Sequence, residues 1–360
     1  MRLTAYGRVR VAVVMVAIGV LMSGCSSVAA GGQPTSGHTE GSTASSSPAS
    51  VRTEAPACTA LATQEEVVQL VGGSGEPQKF EHLQPGAVHA SWAVLAGNGA
   101  VCGWGVNGLH DLIGTTGSPS VFVQLMPGLE SAWNELATEL SPSAGASYDG
   151  AVSRGGDCAS SFCSTNVLVD GAWLVVQASG GDTTLDQNSF HTFVQGLVTR
   201  YHALPAPTVV KPHAPRSCDD PAVTGAVEQT LGGPSTLSEH TPSFELKEAL
   251  QRAGYQTFCM FFGPDRPHGY ETDITVIDGA SDALLQEYRT GVDHPLAQTV
   301  DASSLPGSAS ALQEETVDSH RTIVDVLDDG HWVDVTTYPL SDTAVSVKLA
   351  GTLIAGSWVR

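Results

Sequence analysis

The strongest structural signals in the sequence are two short stretches, Val169-Asp170-Gly171-Ala172-Trp173 and Asp328-Asp329-Gly330-His331-Trp332. In each of them an Asp-Gly pair joins two runs rich in Val, Leu or Ile, and this arrangement is the strongest short-range signal for a β-hairpin. The two Trp residues lie 159 positions apart, and other landmarks recur at nearly the same offset. The sequence therefore predicts two tandem copies of one domain.

Each predicted copy begins with a capped helix. In the first copy Thr63-Gln64-Glu65-Glu66 is a capping box, and Gly72-Gly73 ends the apolar run that follows it. In the second copy Asp220-Pro221 supplies an N-cap and a proline at the first helical position, and Gly232-Gly233 ends the helix. The two copies thus start with the same element, built from different residues.

The elements that follow also recur in the same order. A Cys-x-aromatic strand comes first, Val101-Cys102-Gly103-Trp104 in one copy and Phe258-Cys259-Met260-Phe261 in the other. A second strand, a helix, the Asp-Gly hairpin and a closing helix complete each copy. This order predicts an α+β class with two tandem homologous domains, each an antiparallel sheet packed against helices and stapled by disulfides.

Composition sets the predicted domain boundaries. Residues 1–24 carry three Arg residues and then an apolar run too short to span a bilayer comfortably, which indicates an export signal. Residues 25–57 are rich in Ser, Thr, Gly, Ala and Pro, which predicts a flexible tether. The two domains are predicted at 58–202 and 218–360, separated by a Pro-rich linker at 203–217.

Cys25 ends the segment Leu21-Met22-Ser23-Gly24-Cys25, which resembles the bacterial lipobox, although Met22 stands where Leu is usual. In that motif the Cys is diacylated and becomes the new N-terminus, which would attach the protein to the outer face of the cell membrane. The alternative is an ordinary secretory leader whose Cys25 later forms a disulfide. We expect lipidation, because the other six Cys residues can pair without Cys25.

Four Cys residues fall into step with the repeat. Cys58 and Cys218 precede the first helix of each copy, and Cys102 and Cys259 lie on the Cys-x-aromatic strands. Disulfides are common in exported proteins, and equivalent residues should form equivalent bonds. We therefore expect Cys58 to bond to Cys102 and Cys218 to bond to Cys259.

Cys158 and Cys163 remain and should close a small loop in the first copy alone. A metal site is the alternative for this pair. No second Cys or His pair accompanies it at the spacing of a zinc site, so we expect a disulfide and no metal.

The chain carries 37 acidic and 16 basic residues, a formal net charge of −21. Such a surface repels phosphate backbones, so we expect no nucleic-acid partner. Acidity of this kind favours solubility outside the cell; a cationic partner is the alternative explanation.

The sequence shows no recognisable catalytic pattern. Gly72-Gly73-Ser74-Gly75 lacks the spacing of a nucleophile elbow. Asp325, Asp328 and Asp329 beside Gly330 suggest a calcium loop, but their spacing is not that of an EF-hand. We therefore predict a protein that is not an enzyme and has no cofactor and no catalytic residue.

Five residues are candidates for ligand binding: Trp104, Trp173, Phe261, His331 and Trp332. The copies differ at Trp104 against Phe261 and at Ala172 against His331, which would let two similar grooves bind differently. Trp173 and Trp332 could line a groove, but an aromatic residue that begins a strand after a tight turn usually packs in the core.

Taken together, the lipobox Cys, the tether, the helix ending in Gly-Gly, the Cys-x-Trp strand and the Asp-Gly-x-Trp hairpin resemble an actinobacterial family. Its members are cell-envelope lipoproteins grouped as a domain of unknown function; extracellular sensor domains of mycobacterial receptor kinases are more distantly similar. The resemblance covers Cys58 to Tyr201 and Cys218 to Trp358, with Phe261 where the pattern has Trp.

This resemblance implies a membrane-anchored, extracytoplasmic binding or sensing module whose envelope ligand or protein partner is unknown. It brings no catalytic residues with it. The alternatives are an envelope scaffold or spacer without a ligand, and a secreted hydrolase.

Overall fold

Two antiparallel sheets, one from each half of the chain, form the frame of the molecule in a computed structural model. The structure describes residues 51–52, 54–72, 89–105, 119–156, 158–213, 216–239, 241–263, 271–291, 298–315, 320–338, 343–356 and 358–359. The predicted export signal, Cys25 and most of the predicted tether lie outside these residues. The predicted class, α+β with antiparallel sheets packed against helices, is confirmed.

Helices surround and separate the two sheets. In chain order they are α1 (Cys58–Leu61), α2 (Gln64–Val71), α3 (His89–Ala96), α4 (Glu130–Leu140), α5 (Gln187–Ala203), α6 (Pro221–Leu231), α7 (Leu246–Ala253), α8 (Asp282–Gly291) and α9 (Thr343–Ala355). None of these described helices is both long and apolar enough to cross a lipid bilayer.

The strands lie between these helices along the chain, singly or in runs. In the first half and the linker they are β1 (Val51–Arg52), β2 (Ala100–Gly105), β3 (Pro119–Met126), β4 (Ala144–Tyr148), β5 (Ala151–Arg154), β6 (Cys158–Ala159), β7 (Phe162–Val169), β8 (Ala172–Gly180) and β9 (Ala206–Pro207). In the second half they are β10 (Thr236–Leu237), β11 (Gln256–Phe262), β12 (Glu271–Asp278), β13 (Gln298–Val300), β14 (Ser308–Glu315), β15 (His320–Asp328) and β16 (His331–Tyr338).

The predicted Asp-Gly hairpins lie at equivalent places in the two sheets. The first sheet has the strand order β2-β3-β8-β7-β5-β4, with β6 paired to β7, and the second has the order β10-β11-β12-β16-β15-β14-β13. The turns join β7 to β8 and β15 to β16. Asp170, Gly171, Asp329 and Gly330 all have positive φ, between 47° and 81°, as a type I′ turn requires.

Strand register places the two repeated Trp residues alike. Trp173 lies between Met126 and Leu168 on the neighbouring strands. Trp332 lies between Ile277 and Leu327. The two halves therefore share their pairing around the Trp as well as their element order.

The predicted helix caps are present. Thr63 and Glu66 form a capping box at the start of α2, which ends at Gly72. The Asp220 side chain accepts a hydrogen bond from the backbone N–H of Ala222 at the start of α6, and Gly232 ends that helix in the left-handed conformation. These ends form as expected because capping depends on residues close in sequence.

Three disulfides connect the Cys pairs expected from the sequence, two of them from the repeat and the third from the two Cys residues that remain. Cys58 bonds to Cys102 and Cys218 bonds to Cys259, each with a Cα–Cα distance of 5.5 Å. Cys158 bonds to Cys163 with a Cα–Cα distance of 4.0 Å. Each of the first two ties the start of a half to the edge region of its own sheet.

Each sheet has an outer apolar core of its own. The outer face of the first sheet packs against α1, α2 and α5, and the outer face of the second packs against α6 and α9. Alternate residues of every strand point to the opposite, inner face. The inner faces meet a shared middle layer that contains α3, α4, α7 and α8.

The middle layer contains two helices, α3 and α7, that the sequence analysis does not predict. Trp92 of α3 packs against Trp332 of the second sheet, with ring centroids 6.0 Å apart. Phe244, which precedes α7, packs against Trp173 of the first sheet at 5.0 Å. Each half thus supplies an aromatic residue to the inner face of the other, and Pro48–Arg360 packs as one unit. The predicted domain limits stay a prediction.

The linker between the halves is fastened at several points. β9 pairs in parallel with β1, which brings Val51 and Arg52 against Ala206 and Pro207. The Tyr255 hydroxyl donates a hydrogen bond to the carbonyl of Val210, 2.7 Å away. These contacts connect the Pro-rich stretch to the end of the predicted tether and to the second half of the chain.

Candidate functional site

Two buried carboxyl groups face each other on the inner side of the second sheet. Asp325 on β15 lies directly opposite Asp334 on β16, and each side chain is 2% exposed. Across the next two strands the same row continues with Thr275 on β12 and Phe258 on β11. Because residues opposite each other on one face of a sheet are close neighbours, this row leads from the sheet edge to the buried pair.

The two carboxyl groups of the buried pair are hydrogen-bonded to each other and to neighbouring side chains. The indole N–H of Trp332 donates to Asp325 Oδ1 at 2.8 Å, and the Thr336 hydroxyl donates to Asp334 Oδ1 at 3.2 Å. His89 approaches from α3, with its Nε2 atom 3.7 Å from Asp334 Oδ1. Neither His89 Nε2 nor Asp334 Oδ2 has a hydrogen-bond partner among the described residues.

Burial controls the charge state of this group. It raises the pKa of Asp334 to about 7 and lowers the pKa of His89 to about 4. Both shifts favour the neutral form of the residue, because a charge is poorly solvated inside the protein. Between these two values the Asp334 carboxyl keeps its proton and the His89 imidazole stays uncharged.

A third carboxyl group, Asp273, lies in the next row of the same face, on β12, which is one strand nearer the sheet edge than the strand of Asp334. It is opposite Met260 of β11 and half-buried, and its Oδ1 atom has no hydrogen-bond partner among the described residues. Burial and the nearby Glu271 raise the pKa of Asp273 to about 7, although Lys247 acts in the opposite direction. Lys247 belongs to α7, and its Nζ atom lies 4.1 Å from the centre of the Phe258 ring.

A cavity of about 450 Å³ opens beside this row, at the edge of the second sheet. Its apolar lining includes Leu237, Phe258, Met260 and the Cys218–Cys259 disulfide. Phe258 and Met260 point to the inner face, since they alternate along β11 with the outward-facing Cys259 and Phe261. Asp219, Glu239 and Gln251 add polar groups to the lining.

A separate charged cluster forms around Asp278, at the end of β12. Arg216 of the linker donates to both of its carboxylate oxygens, at 2.7 and 3.1 Å, and His331 Nδ1 lies 2.6 Å from Asp278 Oδ1. Burial alone would raise the pKa of Asp278, but hydrogen bonds from His331 and Arg216 outweigh burial and hold it below its usual range. His213 lies 3.6 Å from the same Oδ1 atom.

His213, Asp278 and His331 are close enough to one another to be considered as metal ligands. The guanidinium of Arg216 opposes this use, because it is only 8% exposed and lies 3.3 Å from His331 Nδ1. It also donates to the carbonyls of Trp358 and Val359, at 3.0 and 2.6 Å. This arrangement fits an ion pair that fastens the linker to the second sheet and the C-terminal residues.

The structure separates the five candidate residues that the sequence analysis names. Trp104 and Phe261 lie in the two outer cores, and Trp173 and Trp332 lie in the middle layer. His331 belongs to the Asp278 cluster. All five are buried, and none of them lines the cavity described above.

The acidic residues of the inner face are not among the five candidate residues predicted from the sequence. A usable signal exists, since the 159-residue offset of the repeated Trp places Asp325 against Asn166 and Asp334 against Val175. A change from neutral to acidic at two inward positions is therefore visible in the sequence. Nothing local indicates that His89 meets them, because it comes from a distant helix.

Comparison with known proteins adds little. No protein-family model and no curated protein matches the chain. A solved structure of the immunity protein TplEi of T6SS from Pseudomonas aeruginosa, complexed with "L" peptide, is 11% identical and has a TM-score of 0.17. The match covers 65% of this chain and 86% of that chain. A TM-score this low carries no argument about fold or function.

Proposed function

We propose that the protein is a membrane-anchored, extracytoplasmic lipoprotein that binds or senses a small envelope molecule without transforming it. The lipobox-like segment ending at Cys25 supports the anchor, and the three disulfides are compatible with an address outside the cytoplasm. The resemblance to actinobacterial cell-envelope lipoproteins supports the same role.

The cavity at the edge of the second sheet is the observation that carries this proposal. Its volume of about 450 Å³ lies within the range of small-molecule sites, and its lining combines apolar side chains with a few polar groups. Binding suits this geometry better than catalysis, since Asp325 and Asp334 are too deeply buried to touch a molecule in the cavity.

Native mass spectrometry of protein purified from its own envelope tests the binding role. We expect a bound small molecule with the unaltered chain and its loss in the variant Gln251→Trp, because the larger side chain would fill the cavity that Gln251 lines. The matched control is Gln195→Trp on α5, a half-buried glutamine that does not line this cavity. A molecule that persists in Gln251→Trp, or no bound molecule in any preparation, would count against the cavity.

Membrane fractionation tests the anchor separately. We expect the unaltered protein in the membrane fraction, and Cys25→Ala either released from it or retained with its leader uncleaved. Mass spectrometry of the mature N-terminus should find a lipid-modified Cys25. An unmodified N-terminus at another residue would refute lipidation but leave the cavity experiment unaffected.

A further inference from the structure

We infer that the cavity takes a compact apolar molecule with a cationic group, an ammonium or guanidinium, and that this group is bound beside Asp273. The inference rests on the proposed function, because it names the chemical class of the ligand for the same cavity. Three features carry it: the apolar lining, the Lys247 ammonium over the ring of the cavity-lining Phe258, and the Asp273 carboxyl, which lies across the strand pair from the cavity-lining Met260.

The apolar lining selects for a ligand with a hydrocarbon body. Leu237, Phe258 and Met260 are half-buried, so a ligand that covers them removes apolar surface from water. Phe258 adds an aromatic face, which attracts cations as well as apolar groups. The site therefore offers apolar and cation-binding surface side by side.

Lys247 shows where a cation fits against the ring of Phe258. Its ammonium lies 4.1 Å from the centre of the Phe258 ring. Burial lowers the pKa of Lys247, while Glu245, Asp273 and Glu248 act in the opposite direction. The side chain is exposed on α7, so it is free to turn toward solvent. A ligand cation can then take the place that the Lys247 ammonium occupies.

Asp273 provides the opposite charge. It lies directly across from Met260, and its buried Oδ1 atom accepts no hydrogen bond from any residue that the structure describes. Arg216 also lines the cavity, but its guanidinium is bound to Asp278 and two carbonyls. It therefore does not compete with a ligand cation for Asp273. The exposed acids Asp219 and Glu239 add negative charge to the lining.

The first half lacks each of these features. By strand register Phe122 takes the place of Asp273, and by the Cys offset Gly103 takes the place of Met260. Ala90 stands where the second half has Lys247. The cation position is therefore a property of the second half alone.

Binding of three matched probes tests the inference: 4-phenylbutylammonium, 4-phenylbutanol and 4-phenylbutyrate. Affinity is measured by calorimetry at pH 8, where Asp273 is ionised, and the binding site is located by NMR signals of Met260 and Phe258. We expect the ammonium to bind most tightly and the carboxylate most weakly.

Two variants should move the ammonium affinity in opposite directions. Asp273→Asn should weaken it about tenfold or more, because a charge-assisted contact is lost. Lys247→Ala should strengthen it about two- to fivefold, because a competing cation is removed. The matched controls are Asp182→Asn and Lys348→Ala, which change exposed residues elsewhere and should leave affinity unchanged. Poor folding cannot produce the gain expected from Lys247→Ala.

The outcomes separate this inference from the proposed function. Equal affinity for ammonium and alcohol, no loss in Asp273→Asn, or weaker binding in Lys247→Ala would overturn the cation position. Binding of 4-phenylbutanol next to Met260 would still support the proposed cavity. Failure of all three probes to shift the Met260 and Phe258 signals would refute the ligand class inferred here, while the native mass spectrometry of Gln251→Trp decides the proposed cavity.

Discussion

The inner faces of the two sheets occupy equivalent places and differ in chemistry. Asp334 and Asp325 in the second sheet stand where the first sheet has Val175 and Asn166. The outer faces, by contrast, are apolar in both halves and are closed by the same kind of disulfide. Divergence is thus concentrated on the faces that meet in the middle layer.

The partners of the two inner faces differ in the same way. Trp173 is covered by Trp133 and Phe244, which form an aromatic cluster. Trp332 is approached instead by Trp92 and by the imidazole of His89. Burying carboxyl groups lowers stability unless they are well paired, so the second half carries a cost that the first avoids.

Exchanging the residues that distinguish the inner faces should have the largest effect on the free energy of unfolding. Val175→Asp should lower the free energy of unfolding at pH 8 by about 3–5 kcal/mol, because it leaves a buried charge without a partner. Asp334→Val should raise it by about 1–4 kcal/mol, because it replaces a buried, poorly solvated carboxylate by an apolar side chain. Denaturant titration at pH 8 measures both changes. Destabilisation by Asp334→Val would mean that the carboxyl is needed for packing.

Removing the long disulfides should show how alike the outer faces are. Cys58 to Cys102 and Cys218 to Cys259 span 44 and 41 residues, so chain entropy predicts a loss of about 4 kcal/mol for either one. The measurement is denaturant unfolding of the two double-alanine variants under non-reducing conditions.

The short disulfide is the internal control for this loop-length argument. Cys158 and Cys163 are separated by only 5 residues, and the same relation gives about 2 kcal/mol. A loss from this pair as large as from the long ones would contradict the chain-entropy explanation.

The pH dependence of stability should reflect the acidic inner face. The pKa values of Asp334 and Asp273 are raised to about 7, so between pH 4 and 7 the folded protein holds two protons that the unfolded chain releases. His89 acts in the opposite direction, because its pKa of about 4 lies below the usual 6.5. Across pH 4 to 6.5, unfolding should therefore release a net proton or so, and stability should fall as pH rises.

Asp334→Val separates these contributions. In this variant unfolding releases a proton from Asp273 and adds a proton to His89. The two changes nearly cancel, so stability should become nearly independent of pH between about 4.5 and 6.5. The charged groups that influence the pKa of Asp273 are Glu271, Lys247 and, in the unaltered protein, Asp334. Unfolding titrations over this range measure the slope, and an unchanged slope in the variant would exclude Asp334 as its source.

Much of the frame could be predicted from sequence because its signals are local or repeated. The capping box at Thr63, the Asp-Gly turns and the proline after Asp220 each depend on a few adjacent residues. The disulfide pairs follow from a repeated offset, so two weak patterns support each other.

The middle layer could not be predicted for a physical reason. Five residues of the eight-residue helix α3 are buried, including both His89 and Val94. A helix buried on several sides has no apolar stripe opposite a polar face, so the sequence lacks the pattern that predicts a helix. The cavity and the acidic row depend on contacts between residues far apart in sequence. Asp325 and Asp334 could be noticed by comparing the copies, but their meeting with His89 could not.

The smallest change in the free energy of unfolding should come from replacing the residue that accepts the hydrogen bond of the Trp indole. The two halves use different chemical groups as this acceptor. Trp173 Nε1 donates to Asn166 Oδ1 at 2.9 Å, and Trp332 Nε1 donates to Asp325 Oδ1 at 2.8 Å. An amide oxygen can accept this bond as a carboxylate does, so Asp325→Asn should change the free energy of unfolding by less than about 1 kcal/mol. Asp325→Ala should cost more, about 1–3 kcal/mol, because the buried indole N–H loses its acceptor. Denaturant unfolding of both variants at pH 8 measures the difference. If Asp325→Asn proves as costly as Asp325→Ala, the charge of Asp325 matters beyond its bond to Trp332, and the two inner faces differ in more than the carboxyls of Asp334 and Asp273.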